Sequence, residues 1–205
     1  TLLMPDTGKA IVEGYDTVKD YRKIRQIAGY MPGRFSLYQD LSVEENLNFF
    51  ASIFKTSIKE NYHLISDIYR QIEPFKTRPA GKLSGGMKQK LALCCALIHK
   101  PVILFLDEPT TGVDAVSRKE FWDMLDKLKE ENITILVSTP YMDEASRCDR
   151  VALMQEGKIL SLDTPEGIVK AYENRLLAVK SENMYQLLFD VLKYPGTIRA
   201  YRSGE

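Results

Sequence analysis

An α/β fold organised around a parallel sheet is what this sequence predicts, and three observations carry that expectation. Val102-Ile103-Leu104-Phe105-Leu106 is a five-residue apolar block rich in strand formers, and a strand apolar on both faces belongs in the middle of a parallel sheet. Asp114 can cap a helix whose Phe121, Met124, Leu125 and Leu128 line one side. Ile133 to Ser138 then reads as the next buried strand, which completes a strand–helix–strand unit.

Composition bounds the rest. The 205 residues suit one domain with a small appendage, and 44% hydrophobic content is that of an ordinary globular chain. Twenty-eight basic residues balance twenty-eight acidic ones, so no overall field attracts nucleic acid or an anionic bilayer. The longest apolar run, Leu91 to Ile98, is 8 residues and far short of a membrane span. Three cysteines, at 94, 95 and 148, have no framework spacing, and no secretory leader is visible, so a reducing, cytoplasmic setting is expected.

The chain opens at Thr1 and runs directly into Pro5-Asp6-Thr7-Gly8, as if a helix had been cut before its last turn. Lys9 to Gly14 alternates enough for a short strand, and Gln26 to Tyr30 is a second strand leading into the loop Met31-Pro32-Gly33-Arg34. From Leu41 the period becomes helical: Leu47, Phe50 and Phe54 share a face, Phe49 and Ile53 lie beside them, and Ser42 or Asp40 can cap the start ahead of Glu44 and Glu45. A second helix, about 58 to 72, carries Leu64, Ile65, Ile68 and Ile72, so residues 40 to 99 read as mostly helical. Arg150 to Met154 and Lys158 to Leu162 flank Gln155-Glu156-Gly157 as a hairpin, and Pro165 opens a short helix. Residues 174–205 suggest a small strand–helix–strand appendage with its helix at Met184 to Leu192.

Two stretches bear chemistry. Asp107-Glu108-Pro109 ends the apolar strand, where ligand crevices of parallel sheets lie; one carboxylate could hold Mg²⁺ and its neighbour could take a proton from an attacking water, or the pair could merely cap a turn. Ser84-Gly85-Gly86 offers a hydroxyl, bare backbone N–H groups and a helix start, which together favour an anion, although the same residues suit a flexible turn before a core helix with Met87, Leu91, Cys94, Cys95 and Ile98 on its buried side. Cys94 and Cys95 are adjacent and cannot both aim at one metal, and His63 and His99 are single, so none of the four is a candidate ligand or base.

Taken together these stretches resemble the ATP-binding-cassette (ABC) ATPase family, over nearly the whole chain before the appendage. Leu83-Ser84-Gly85-Gly86 looks like the family signature, Ile103 to Asp107 like the Walker B strand, Glu108 like the catalytic glutamate and Thr111-Gly112-Val113-Asp114 like the D-loop. Ser84 to Lys90 and Tyr141-Met142-Asp143-Glu144-Ala145 are most similar to ATPases of ABC-2-type exporters. The resemblance implies a P-loop NTPase-like twisted mixed sheet, an ATPase domain over residues 1–173 with a helical subdomain inserted at about 34–100, and a small α/β extension over 174–205. It implies ATP and Mg²⁺ as ligands, with Ser84, Gly85, Gly86 and Asp114 on nucleotide, Asp107 on the metal and Glu108 as the catalytic base. A second ABC ATPase domain, fused or separate, and transmembrane permease subunits are the implied partners, on the inner face of the cell membrane, with no nucleic acid.

Three departures from the family pattern stand out. No Gly-Lys pair fits the Gly-x-x-x-x-Gly-Lys-Ser/Thr phosphate loop: Gly8-Lys9, Gly81-Lys82 and Gly157-Lys158 are followed by Ala10, Leu83 and Ile159. The family places that loop just before the helix that ends ahead of Pro5, so truncation is the expected reason, and the chain alone is expected to be inactive. Gly33 stands where the family has a glutamine facing Mg²⁺ and water, and Pro140 stands where it has a histidine reading the γ-phosphate. Proline supplies neither a side-chain donor nor an N–H. Because two such domains pair head to tail, a degenerate site of its own is compatible with an intact signature that completes its partner's site. The implied function is coupling ATP hydrolysis to export; a non-transport ABC ATPase and a catalytically silent pairing module are the alternatives.

Overall fold

The structure is a computed structural model and describes residues 3–172 and 177–201. It divides into two compact units, one through Arg147 and one from Cys148 onward. This division falls earlier than the 173/174 boundary drawn from sequence.

The first unit opens with a small antiparallel hairpin, β1 (Ile11–Val12) and β2 (Tyr15–Asp16), followed by α1 (Tyr21–Ile27), which leads straight into β3 (Ala28–Met31). Next come α2 (Val43–Ile53), α3 (Tyr62–Tyr69) and α4 (Gly85–Leu97), with two single 3-10 turns at Glu73–Phe75 and Ala80–Lys82. The unit closes with β4 (Ile103–Asp107), α5 (Ala115–Glu130), β5 (Thr134–Ser138) and the single turn α6 (Met142–Ala145).

β4 is the middle strand of the parallel sheet β3-β4-β5, as its apolar run predicted. Its neighbours in register are Met31 and Val137 beside Leu106 and Gly29 and Ile135 beside Leu104. One face is closed: Met31, Leu104 and Leu106 are buried. The opposite row, Tyr30–Phe105–Leu136, is not. Tyr30 is 62% and Leu136 59% exposed, so the expectation of a fully buried strand at 133–138 is corrected to one that alternates between half-buried and exposed positions.

The helical stretch has local causes. Ser42 begins α2 with a full capping box: its hydroxyl accepts from the Glu45 N–H at 3.2 Å, and the Glu45 carboxylate accepts from the Ser42 N–H at 2.8 Å. Leu47 is buried, whereas Ile53 of the same helix is 55% exposed and Phe54 rests half-buried against His99, rings 3.7 Å apart and nearly parallel. His99 is therefore not the unpartnered residue read from sequence, and its Nε2 lies 3.2 Å from the Ala28 carbonyl oxygen. Burial pushes its pKa down, opposed by that carbonyl. Leu64, Ile65 and Ile68 are buried as the helical period requires, whereas Ile72, expected in the same helix, is buried beyond the end of α3 ahead of the Glu73–Phe75 turn; Cys94 and Cys95 are packing residues whose thiol pKa values burial pushes up.

The second unit contains the antiparallel hairpin β6 (Val151–Gln155) and β7 (Lys158–Asp163), then α7 (Pro165–Ala171) with Pro165 in its first turn and Thr164 as cap. Its α8 spans Met184–Lys193. Among the described residues beyond α7, α8 is the regular element; the two flanking strands expected from sequence do not form at 177–183 or 194–201, and the remaining parts of those stretches, 174–176 and 202–205, lie outside the described residues. Antiparallel pairing in the hairpins and parallel pairing in β3-β4-β5 make the chain a mixed α/β structure.

Candidate functional site

β4 delivers Asp107 and Glu108 at its carboxyl end, both exposed. Parallel pairing sets Ser138 of β5 beside Asp107, and the Ser138 hydroxyl donates to Asp107 Oδ1 at 2.6 Å. The Glu108 N–H reaches the Ser138 carbonyl oxygen at 3.0 Å and its hydroxyl at 3.1 Å. Glu108 has a φ of +44°, a left-handed conformation that a residue with a Cβ adopts at a cost of about 1–3 kcal/mol and that clusters at functional turns. Thr111 holds the side chain by donating to Glu108 Oε2 at 3.0 Å. The glutamate is thus fixed at both ends and still open to solvent.

Magnesium takes hard oxygen ligands, commonly one or two carboxylates together with phosphate and water oxygens. The exposed Asp107 carboxylate and the adjacent hydroxyl of Ser138 suit that chemistry. Among the described residues no group of three or more His, Cys, Asp or Glu is placed to hold a metal ion.

Gly33 lies against the acid pair. A Cβ at this position would sit 2.9 Å from the Asp107 carbonyl oxygen and 3.6 Å from Glu108 Cβ. The loop after β3 therefore approaches β4 at a distance that suits glycine, and the glutamine of the family pattern would not fit without a backbone shift. Pro140 is exposed two residues after Ser138.

Ser84 caps α4, accepting from the Met87 N–H at 3.3 Å, and Ser84 and Gly85 are exposed. The other side of this turn packs onto the segment after β4: a Cβ at Gly86 would meet Ser117 Oγ at 2.7 Å and Ser117 Cβ at 2.9 Å, and one at Gly85 would meet the Gly112 carbonyl oxygen at 3.7 Å. Asp114 caps α5, its carboxylate accepting from the N–H groups of Val116 at 3.1 Å and Ser117 at 3.0 Å. The Ser117 N–H, followed by the Ser117 hydroxyl, holds its pKa below the usual carboxylate range.

The structure thus brings Gly33 to Asp107 and Glu108, and Gly85 and Gly86 to the 112–117 stretch. It gives Asp114 a helix-capping task that the residue type had already announced. Sequence reasoning missed Glu144. This acid is 2% exposed and accepts from Thr110 Oγ1 and Thr139 Oγ1, each at 2.6 Å, and from Arg118 Nε at 3.1 Å. Its position amid Asp143 and Ala145 gave no sign of burial, because its partners are distant in sequence.

No helix among the described residues is long and apolar enough to cross a membrane. The ABC transporter family pattern matches residues 1–111, which include the 84–86 turn and the acid pair. The probable multidrug ABC transporter ATP-binding protein YbhF of Escherichia coli K12 is 43% identical over 199 residues, covering 95% of this chain and 34% of that protein. The ABC transporter ATP-binding protein NatA of Bacillus subtilis 168 is 35% identical over 164 residues, covering 78% of this chain and 67% of that protein. The dimeric post-hydrolysis structure of the ATP-binding cassette MJ0796, bound to ADP and Pi, superposes with a TM-score of 0.69 at 25% identity, over 80% of this chain and 76% of that one. The chain spans about a third of the length of the first of these relatives. A Ser-Gly-Gly helix start with Ser84 and Gly85 exposed, an acid pair ending the middle strand of a parallel sheet and agreement in both sequence and fold lead to one conclusion: the chain belongs to the ABC transporter family.

Proposed function

We propose that this chain is the ATP-binding part of an ABC exporter, closing on ATP against a second ATPase domain and reopening on hydrolysis to drive movement in membrane-spanning partner subunits. The observation that carries the reading is the exposure of two separate places in one unit: the acids at 107–108, at the end of β4, and Ser84 and Gly85 at the start of α4. Two exposed half-sites of complementary chemistry suit a head-to-tail pair. In the mechanism Glu108 accepts a proton from a water whose oxygen bonds to the γ-phosphorus as the bond to the bridging oxygen of ADP breaks. Thr111 and the Ser138 contacts hold Glu108 in place for that transfer. Asp107 would hold Mg²⁺, which neutralises charge on the phosphate oxygens when bound. Ser84 and the N–H groups that start α4 would receive the γ-phosphate of the nucleotide carried by the partner.

A second reading has its own support. Gly33, against the acids, and Pro140, two residues after Ser138, stand where the family pattern has polar side chains, which favours an asymmetric pair in which this chain's own site turns over slowly or only supplies its signature. ATPase measurements on the native full-length protein with its partner separate the cases. Glu108→Gln lowers kcat by about 10²-fold or more if this site works, and Ser84→Arg lowers it by removing the partner's site. Loss with Ser84→Arg alone indicates the pairing module; loss with neither contradicts the ATPase reading.

A further inference from the structure

Glu144 is the one deeply buried carboxylate among the described residues, and it joins stretches that belong to different parts of the site. Thr110 lies on the turn between Glu108 and the D-loop-like 111–114 stretch; Thr139 lies between Ser138 and Pro140; Arg118 is on the first turn of α5. Arg118 is itself steadied by Asp143 at 3.1 Å and by the Tyr141 ring, 4.2 Å from its guanidinium carbon to the ring centre. The Thr139 hydroxyl also receives the Tyr141 N–H at 3.1 Å, so one side chain sets the course of the backbone around Pro140.

The two threonines are next to the groups that hold Glu108. Thr110 precedes Thr111, which donates to Glu108 Oε2, and Thr139 follows Ser138, which binds the Glu108 N–H. A hydroxyl donating at 2.6 Å to a carboxylate is a short, charge-assisted bond, and both bonds here end on one buried carboxylate. In the family pattern the position of Pro140 is occupied by a histidine with a side-chain nitrogen; in this chain the adjacent order comes from a clamp beneath it.

We propose that Glu144 is a positioning residue that locks the turn at Thr110 to the stretch at Thr139, so that the 110–114 loop and the 138–141 stretch move as one body around Glu108. The role rests on the ATPase reading for its consequence in turnover, but not for the clamp itself. When the loop shifts on meeting a partner domain, the stretch around Pro140 shifts with it, and the two hydroxyls are the points through which the movement passes. Glu144 touches no reacting atom in this scheme.

The test uses the native full-length protein and conservative hydroxyl variants, because removing Glu144 itself leaves the buried Thr110 hydroxyl and the half-buried Arg118 without their acceptor and risks unfolding. Thr110→Val and Thr139→Val each delete one bond to the carboxylate, and Thr139→Ser restores it. Kinetics and amide hydrogen exchange over 109–114 and 138–141 are measured together. Expected are an about tenfold fall in kcat with KM for ATP changed less than about twofold for either valine variant, recovery in Thr139→Ser, and a double variant less impaired than the product of the two single effects. Thr110→Val is also expected to speed exchange across the clamp at 138–141. Unchanged exchange at 138–141 in Thr110→Val overturns the clamp, as does equal impairment of Thr139→Ser and Thr139→Val. If the unaltered protein hydrolyses no ATP yet exchange remains coupled, the clamp stands and the ATPase reading fails.

Discussion

At the scale of single residues, geometry turns two sequence departures into physical statements. Gly33 is where the family pattern has glutamine, and the backbone has closed onto Asp107 to a distance a Cβ would violate. Gly33→Gln is therefore expected to cost about 1–3 kcal/mol through forced displacement of the loop and to give no gain in ATPase rate; urea unfolding and steady-state kinetics check both, and a faster enzyme of unaltered stability would contradict the account. His99 offers a second test. Its folded pKa is depressed by burial, so the unfolded chain binds the proton more readily, and stability is full above the ordinary histidine range and is lost as pH falls through it. The urea midpoint is expected to decline from pH 7.5 to 5.5 and to decline less in His99→Gln. The carboxylates with depressed pKa values, such as Asp114 and Asp123, act at lower pH, below the ordinary carboxylate range, and leave this window to the imidazole. Glu108 and Asp107 were legible as an acid pair because adjacent residues at a strand end need no long-range information. Glu144 was not, since its burial depends on Thr110, Arg118 and Thr139.

At the scale of elements, end signals were the most readable feature. Ser42 and Asp114, which the sequence offered as caps, act as N-caps in the structure, and Ser84 and Thr164, which it did not offer as caps, do so too. The Ser42 box predicts a measurable cost: Ser42→Ala is expected to lower stability by about 1 kcal/mol, read as a drop in unfolding temperature, and an unchanged temperature would mean that the 43–53 helix is held by packing of Val43 and Leu47 alone. Strand identity was readable in β4, β6 and β7 because apolar runs and the Glu156-Gly157 turn mark them. Strand burial was harder. The residues 133–138 look alike to a hydropathy count, but Leu136 belongs to the Tyr30–Phe105–Leu136 row, which stays open, while Ile135 and Val137 are half-buried on the face shared with Leu104 and Leu106. Apolar character on both faces states what a strand could bury, and the neighbouring layers decide what it does bury.

At the scale of the whole molecule, the Ser84-Gly85-Gly86 turn and the acid pair were both legible as local motifs, yet the proposed relation to a second molecule rests on exposure, which sequence does not display. Ser84, Gly85, Asp107 and Glu108 all remain open to solvent, while Gly86 is anchored against Ser117, and in the function proposed above these two exposed places are half-sites built on one frame. The claim that they serve two different nucleotides is tested most directly by the cryo-EM structure of the native assembly carrying Glu108→Gln and held with ATP and Mg²⁺. The account predicts Ser84 Oγ within hydrogen-bonding distance of the γ-phosphate of a nucleotide bound to the partner domain, with Asp107 facing a separate one. Ser84 and Asp107 on the same nucleotide, or Ser84 facing solvent in the ATP-held state, would contradict it.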